Sequence, residues 1–229
     1  MKYKIGVLLA GSGVFDGSEI HEATFTLLAI DQLGHQAVCI APNVDQYHVV
    51  DHLHGSETNE KRNVLVESAR IARGNVKDLA TVSAADLDGL VIPGGFGAAK
   101  NLNQWALHGP KGSIHPQVKE LIHELVKANK PVAGLCMGPT VIASALAGTG
   151  IEATLTVGTT KAPSPYDIAG IMEGIRSLGH VAVERTIEEI AQDFDQKIIS
   201  APCYNMEASI SQVYHNVYTA VKALVDQVK

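Results

Sequence analysis

Cysteine is scarce in this chain: Cys39, Cys136 and Cys203 are its three thiols in 229 residues. Three scattered cysteines make neither a disulfide framework nor a zinc site, and they suit a reducing compartment. Long apolar runs are absent; none approaches the ~18 residues of a membrane span. The start, Met1-Lys2-Tyr3-Lys4, runs straight into a strand-like segment, without the apolar stretch and small-residue cleavage site of a signal peptide. These absences together predict a cytoplasmic protein without membrane contact. Positive charge is also in deficit, with 18 basic against 24 acidic residues. Lys61, Arg62, Arg70, Arg73 and Lys77 are the densest basic stretch, but Glu57, Glu60, Glu67 and Asp78 interleave with them. That reads as a solvated helix face, and nucleic-acid binding is not expected. There is no repeat, low-complexity tract or linker. At 46% hydrophobic and 18% charged, residues 1–229 suit one α/β domain with a sizeable core.

What is present is an alternation of short apolar runs and amphipathic stretches, the signature of a parallel sheet flanked by helices. Strands are expected at 4–9, 35–40, 87–92, at the run into Cys136, at 153–158 and at 181–184. Helices are expected at 19–33, 63–73, 98–105, 117–128, 141–147, 166–178 and 207–228. In the first helix Ile20, Ala23, Leu27 and Ile30 form an i, i+3/i+4 stripe, with Asp16 or Ser18 as its cap and Gly34 as its stop. In the last helix the stripe is Ile210, Val213, Val217, Val221 and Leu224. Residues 189–192 and 197–200 flank a small hairpin near the C-terminus.

Chemistry concentrates at Lys130-Pro131-Val132-Ala133-Gly134-Leu135-Cys136-Met137-Gly138-Pro139-Thr140. Strand, tight turn and helix follow one another, with the thiol at the turn. The first N–H groups of a helix have no intrahelical partner, so an elbow of this kind favours a thiolate and predicts a lowered Cys136 pKa. The alternative is a buried structural cysteine, which is how Cys39 and Cys203 read. Two more loops fall at carboxyl ends of strands, where such sheets hold their sites. One is Gly11 to Ser18; the other is Pro93-Gly94-Gly95-Phe96-Gly97. Glu19 and Glu22 lie in the first turn of the first helix. They serve the helix dipole, or one of them faces Cys136. The glycine loop spells G-S-G-x-x-x-G, lacks the dinucleotide and P-loop patterns, and so predicts no nucleotide cofactor. His48, His52 and His54 near Asp51 do not have zinc spacing; a surface or hydrogen-bonded role is expected, and no metal.

Val91-Ile92-Pro93-Gly94-Gly95-Phe96-Gly97, followed by Gly134-Leu135-Cys136-Met137-Gly138-Pro139-Thr140, resembles the ThiJ/PfpI superfamily within the class I glutamine amidotransferase-like fold. Asp16 to Glu22, Asn63 to Arg70, and Gly94 to Leu102 are similar to its ElbB/ES-one branch, named for enhanced lycopene (isoprenoid) biosynthesis. The resemblance implies a flavodoxin-like sandwich with a Cys nucleophile elbow at Cys136 and a contacting carboxyl at Glu22, matched by its distance to Gly34. It implies oxyanion donors at the backbone N–H groups of Gly95 and Met137. Asp16, Ser18, Glu19 and Phe96 are the candidates for the substrate pocket.

Two features depart from the superfamily. Met137 follows the cysteine where protease-type members carry His. After Cys136 only His180 and His215 occur, neither with a Glu two residues on, so the late His-x-Glu pair of glutamine amidotransferases is missing. Ala201-Pro202-Cys203-Tyr204 lies near where it would fall. The resemblance then implies a cofactor-independent glyoxalase-type lyase on small carbonyl substrates such as glyoxal and methylglyoxal. The alternatives are a redox-sensing or accessory protein linked to isoprenoid metabolism and, more remotely, an amidotransferase or hydrolase. A homodimer is common at this size.

Overall fold

The computed structural model describes residues 1–228. The chain runs β1 (Lys4–Leu8), α1 (Ile20–Gln32), β2 (Gln36–Ala41), β3 (Val50–Asp51), β4 (Ser56–Glu57), α2 (Val64–Ile71), β5 (Val76–Asp78) and β6 (Gly89–Ile92). A single π turn, Ala98–Leu102, precedes the four-residue α3 (Trp105–His108). Then follow α4 (Pro116–Lys127), β7 (Val132–Leu135), α5 (Gly138–Leu146), β8 (Thr154–Leu155) and α6 (Ile168–Ser177). The chain closes through β9 (Val181–Ala182), β10 (Ala191–Asp193), β11 (Ile198–Ala201) and α7 (Ile210–Asp226).

Among the described residues, seven strands form one sheet in the order β10-β11-β7-β6-β1-β2-β5. All neighbours are parallel except β10, which pairs antiparallel with β11 as the expected hairpin. Helices α1 and α7 pack on each other over one face, and α4 and α5 over the other. This double cover explains the apolar runs: every residue of β6, β7 and β11 is buried, so these strands show no polar alternation. The chain steps from β1 to β2 on one side and later returns to place β6 on the other. The β1/β6 boundary is therefore the switch point, and β1, β6 and β7 end level there, with Val7 opposite Val91 and Ile92 opposite Gly134.

The differences from the sequence expectations have local causes. Glu19, not Asp16 or Ser18, caps α1, its Oε2 accepting the Glu22 N–H at 2.7 Å. The buried face of α1 is Glu22, Ala23, Thr26, Ala29 and Ile30, which leaves Ile20 47% exposed. The sequence predicts an apolar stripe where the structure buries a carboxyl and a hydroxyl. Similarly, Ile210 at the start of α7 is 51% exposed, while Val213, Val217, Val221 and Leu224 are buried. The strands expected at 153–158 and 181–184 shrink to β8 and β9, a two-residue parallel pair outside the main sheet. The helix expected at 98–105 is broken where Asn103 leaves helical geometry at φ −134° and ψ −178°. Strands β3, β4 and β5, each of two or three residues, carried no sequence signal.

The basic stretch is not a single solvated helix face. Glu67 is buried, and its carboxylate pairs with Arg70 at 2.8 Å and Arg62 at 3.7 Å. No helix of the described residues is long and apolar enough to cross a membrane.

Candidate active site

Four strands deliver the site from their carboxyl ends. β7 ends at Cys136, whose φ of +54° puts a non-glycine residue in the left-handed region. Such a conformation costs about 1–3 kcal/mol and persists only where neighbours hold it. The holder is a pair of bonds: Cys136 N–H donates to the Ala201 carbonyl at 2.9 Å, and its own carbonyl accepts Asn205 Nδ2 at 2.8 Å. The turn throws the side chain up from the sheet onto the N-terminus of α5, yet leaves it 5% exposed.

β6 delivers Pro93-Gly94-Gly95. A Cβ on Gly94 would stand 2.5 Å from Cys136 Cβ and 2.8 Å from Glu22 Oε2, so only glycine lets the three groups meet. From α1, beyond β1, comes Glu22, fully buried. Its Oε2 accepts the Gly94 N–H at 2.9 Å and its Oε1 the Tyr204 N–H at 3.3 Å, and it lies within hydrogen-bonding reach of the Cys136 thiol. The Gly95 and Met137 N–H groups point at the sulfur itself.

β11 delivers Cys203, Tyr204 and Asn205, none of which the sequence singled out for the site. The Asn205 side chain is fixed in orientation. Its Nδ2 donates to the Cys136 and Val157 carbonyls at 2.8 and 2.9 Å, which leaves Oδ1 to accept the thiol proton, 3.0 Å from Sγ. Cys203 repeats the geometry of Cys136 one strand over, with φ +47° and no exposure, and the Cys136 N–H also faces its sulfur. A signal for them is positional: residues 202–205 follow the apolar run 198–201, which lies beside β7.

The electrostatics reverse one expectation. Burial, and then the neighbouring Glu22 charge, push the Cys136 thiol well above its ordinary range, against the pull of the Gly95 and Met137 N–H groups. Burial, and then Glu19, raise the Glu22 carboxyl to about 8. The helix N-terminus is real, but a desolvated thiol facing a carboxyl outweighs it, and the pair holds its protons at neutral pH.

Above the sulfur opens a cavity of about 210 Å³. Its walls are largely apolar, with Phe96, Trp105, Met137, Tyr166 and Ile171, and Glu19 and Asp167 at its edge. Of the four pocket candidates, Glu19 and Phe96 line it, whereas Asp16 and Ser18 do not. Ser18 Oγ accepts the Ala10 N–H at 2.8 Å, and Asp16 Oδ2 accepts the Val50 N–H at 2.8 Å. Ser18 ties the glycine loop to the end of β1, and Asp16 ties it to β3. The three histidines disperse to different carboxylates, His48 to Glu57, His52 to Asp16 and His54 to Asp51. Among the described residues no group of three or more His, Cys, Asp or Glu could hold a metal ion. No histidine lines the cavity: His180 is bound to backbone at Ala143 and Ala153, and His215 is on the exposed side of α7.

A flavodoxin-like parallel sheet with a cysteine elbow at its switch point places the molecule among the class I amidotransferase-like proteins. Residues 13–165 match the DJ-1/PfpI family, and the chain belongs to that family. It is 36% identical over 227 residues to human glutamine amidotransferase-like class 1 domain-containing protein 3, mitochondrial, spanning 97% of this chain and 82% of that one. Against the rat ES1 protein homolog, mitochondrial, the identity is 35%, over 97% and 83% of the two chains. The crystal structure of an isoprenoid biosynthesis protein with amidotransferase-like domain from Ehrlichia chaffeensis superposes with a TM-score of 0.89 at 33% identity, covering 99% of this chain and all of the other. The mitochondrial relatives overturn the cytoplasmic location expected from the cysteine content and the N-terminus. Neither feature separates the cytoplasm from other reducing compartments.

Proposed function

We propose that the protein is a cofactor-independent lyase that converts 2-oxoaldehydes to 2-hydroxy acids through a covalent adduct on Cys136. The observation that carries this reading is the contact of a buried thiol with a buried carboxyl, Glu22, beneath a cavity. The thiol adds to the aldehyde carbon, its proton passing by way of Glu22 to the carbonyl oxygen, and a hemithioacetal forms. Glu22 in its ionised form then takes the proton from that carbon, and the resulting enediol is reprotonated at the adjacent carbon. The product is a 2-hydroxy thioester of Cys136. Water cleaves it, releasing the hydroxy acid and restoring the thiol. The overall change is addition of one water, with no external oxidant or reductant. The Gly95 and Met137 N–H groups are directed at the sulfur, and in this reading they hold the negative charge that develops there and on the oxygen beside it. A positioned carboxyl in this role is typically worth 10²–10⁴-fold in rate.

Acid quenching during turnover of methylglyoxal, followed by peptide mass analysis, tests the reading. An adduct on Cys136 that accumulates in Glu22→Gln supports it; an unmodified Cys136 throughout turnover contradicts it. The name of the Ehrlichia neighbour favours a second reading, an accessory role in isoprenoid metabolism. A peroxide sensor fits less well, because the sulfur is 5% exposed and its burial favours the protonated form. Amidotransferase chemistry lacks its histidine.

A further inference from the structure

We infer that the cavity over Cys136 selects uncharged carbonyl compounds with an apolar or aromatic tail and turns anionic ones away; the inference rests on the thiol-addition reading above. Two properties of the lining carry it. The first is charge. Among the described residues no lysine, arginine or histidine lines the cavity, and its two acidic side chains are Glu19 and Asp167. The Asp167 carboxyl also caps α6, accepting the Gly170 N–H at 2.9 Å, so it is held in place. Two basic side chains lie beside this wall but outside the lining: His21, whose Nδ1 is 2.9 Å from Tyr204 Oη and which is close enough to act on the Glu19 carboxyl, and Lys100. Lys100 Nζ donates to the Phe15 carbonyl at 3.0 Å and stands 5.5 Å from the Phe96 ring centre. A carboxylate or phosphate on the substrate would be stripped of water against two carboxyls, with no basic side chain in the described lining to pair with it. The backbone donors at the floor, from Gly95 and Met137, are directed at the sulfur.

The second property is the apolar wall. Phe96 and Tyr166 meet edge to face, with ring centres 5.7 Å apart at 77°, and Trp105 and Ile171 continue the surface. Glyoxal covers little of it, and an aryl group much more. Phenylglyoxal is therefore expected to exceed methylglyoxal in kcat/KM by about tenfold or more, from buried apolar area. A diphosphate, the head of activated isoprenoids, has no place in this cavity on the same grounds.

The test reads the cavity without relying on turnover. Cys136 is alkylated with iodoacetamide, an N-aryl iodoacetamide and iodoacetate, each rate divided by that of glutathione with the same reagent, and the modified cysteine is assigned by peptide mass. The expected order is aryl amide, then amide, then the anion, with the anion slower than the amide by about tenfold or more. Ala106→Lys adds an ammonium at an exposed position of α3 on the cavity edge and is expected to raise the iodoacetate rate several-fold relative to iodoacetamide. Equal normalised rates for the amide and the anion overturn the inference, as does a Cys136 that no reagent reaches. If the order holds but no 2-oxoaldehyde is turned over, the lyase reading fails and the selectivity stands. If methylglyoxal is turned over and the order is absent, the lyase reading stands and the selectivity fails.

Discussion

Asn205 Oδ1 stands 3.0 Å from Cys136 Sγ, and both hydrogens of the Asn205 amide are committed to the Cys136 and Val157 carbonyls. The amide therefore has one function toward the sulfur, accepting its proton, and that favours the neutral thiol. Asn205→Ala removes the acceptor and leaves two buried carbonyls short of a donor, at about 1–3 kcal/mol for each group. The variant is expected to melt several degrees lower, at roughly 2–4 °C per kcal/mol for a chain of this size. Its Cys136 is also expected to alkylate with a midpoint at lower pH than the wild type, which stopped-flow alkylation across pH would measure. A lower melting point with an unmoved midpoint would reduce Asn205 to a structural brace.

Glu22 ties stability to pH. Its folded pKa, about 8, lies above the ordinary 4.5 because the carboxyl is buried. Between those values the unfolded chain releases a proton that the folded chain keeps. The stabilisation is complete below about 4.5 and declines as pH rises to about 8. Glu22→Gln has no proton to lose. The wild type is expected to lose melting temperature from pH 5 to 8 relative to the variant, and parallel melting curves across that range would count against the buried carboxyl. The same variant should lose about 10²–10⁴-fold in lyase rate.

The same titration sets the pH–rate profile. The proposed lyase reaction needs ionised Glu22 to take the carbon-bound proton, and that form is the minority at neutral pH. Initial-rate measurements of kcat/KM are expected to rise with pH, with a midpoint near 8, and to level off above it. A profile flat from pH 6 to 9 would assign the proton transfer to another group.

Gly94→Ala probes the close approach. The new Cβ meets Cys136 Cβ at 2.5 Å and Glu22 Oε2 at 2.8 Å, so the turn must shift and the Gly94 N–H bond to Glu22 is disturbed. Overpacking of this kind costs about 1–3 kcal/mol. Calorimetry should show a lower melting temperature, and activity should fall by more than the folded fraction explains.

The sequence exposed the parts of this molecule governed by local rules. Buried strands read as apolar runs, and the elbow read as strand, cysteine, glycine and proline. Glu22 could be chosen over Glu19 only through the family resemblance, because periodicity sought an apolar stripe where α1 buries Glu22 and Thr26. Asp16 and Ser18 share the glycine loop with the site, but their side chains accept backbone N–H groups elsewhere, Asp16 from Val50 in β3 and Ser18 from Ala10 at the end of β1. Asn205 was hidden because its position depends on β11 lying beside β7, a pairing made across more than sixty residues of chain. The thiol's pKa runs against the sequence expectation for a related reason. The helix N-terminus is visible in sequence, whereas the desolvation that opposes it exists only after packing.

The central claim, that Cys136 turns over 2-oxoaldehydes without a cofactor, is tested most directly by following ¹³C-labelled methylglyoxal by NMR with purified protein and Cys136→Ser in parallel. The account predicts lactate from the wild type, with no added cofactor, and none above background from the variant. Lactate at equal rates from both, or from neither, would contradict it.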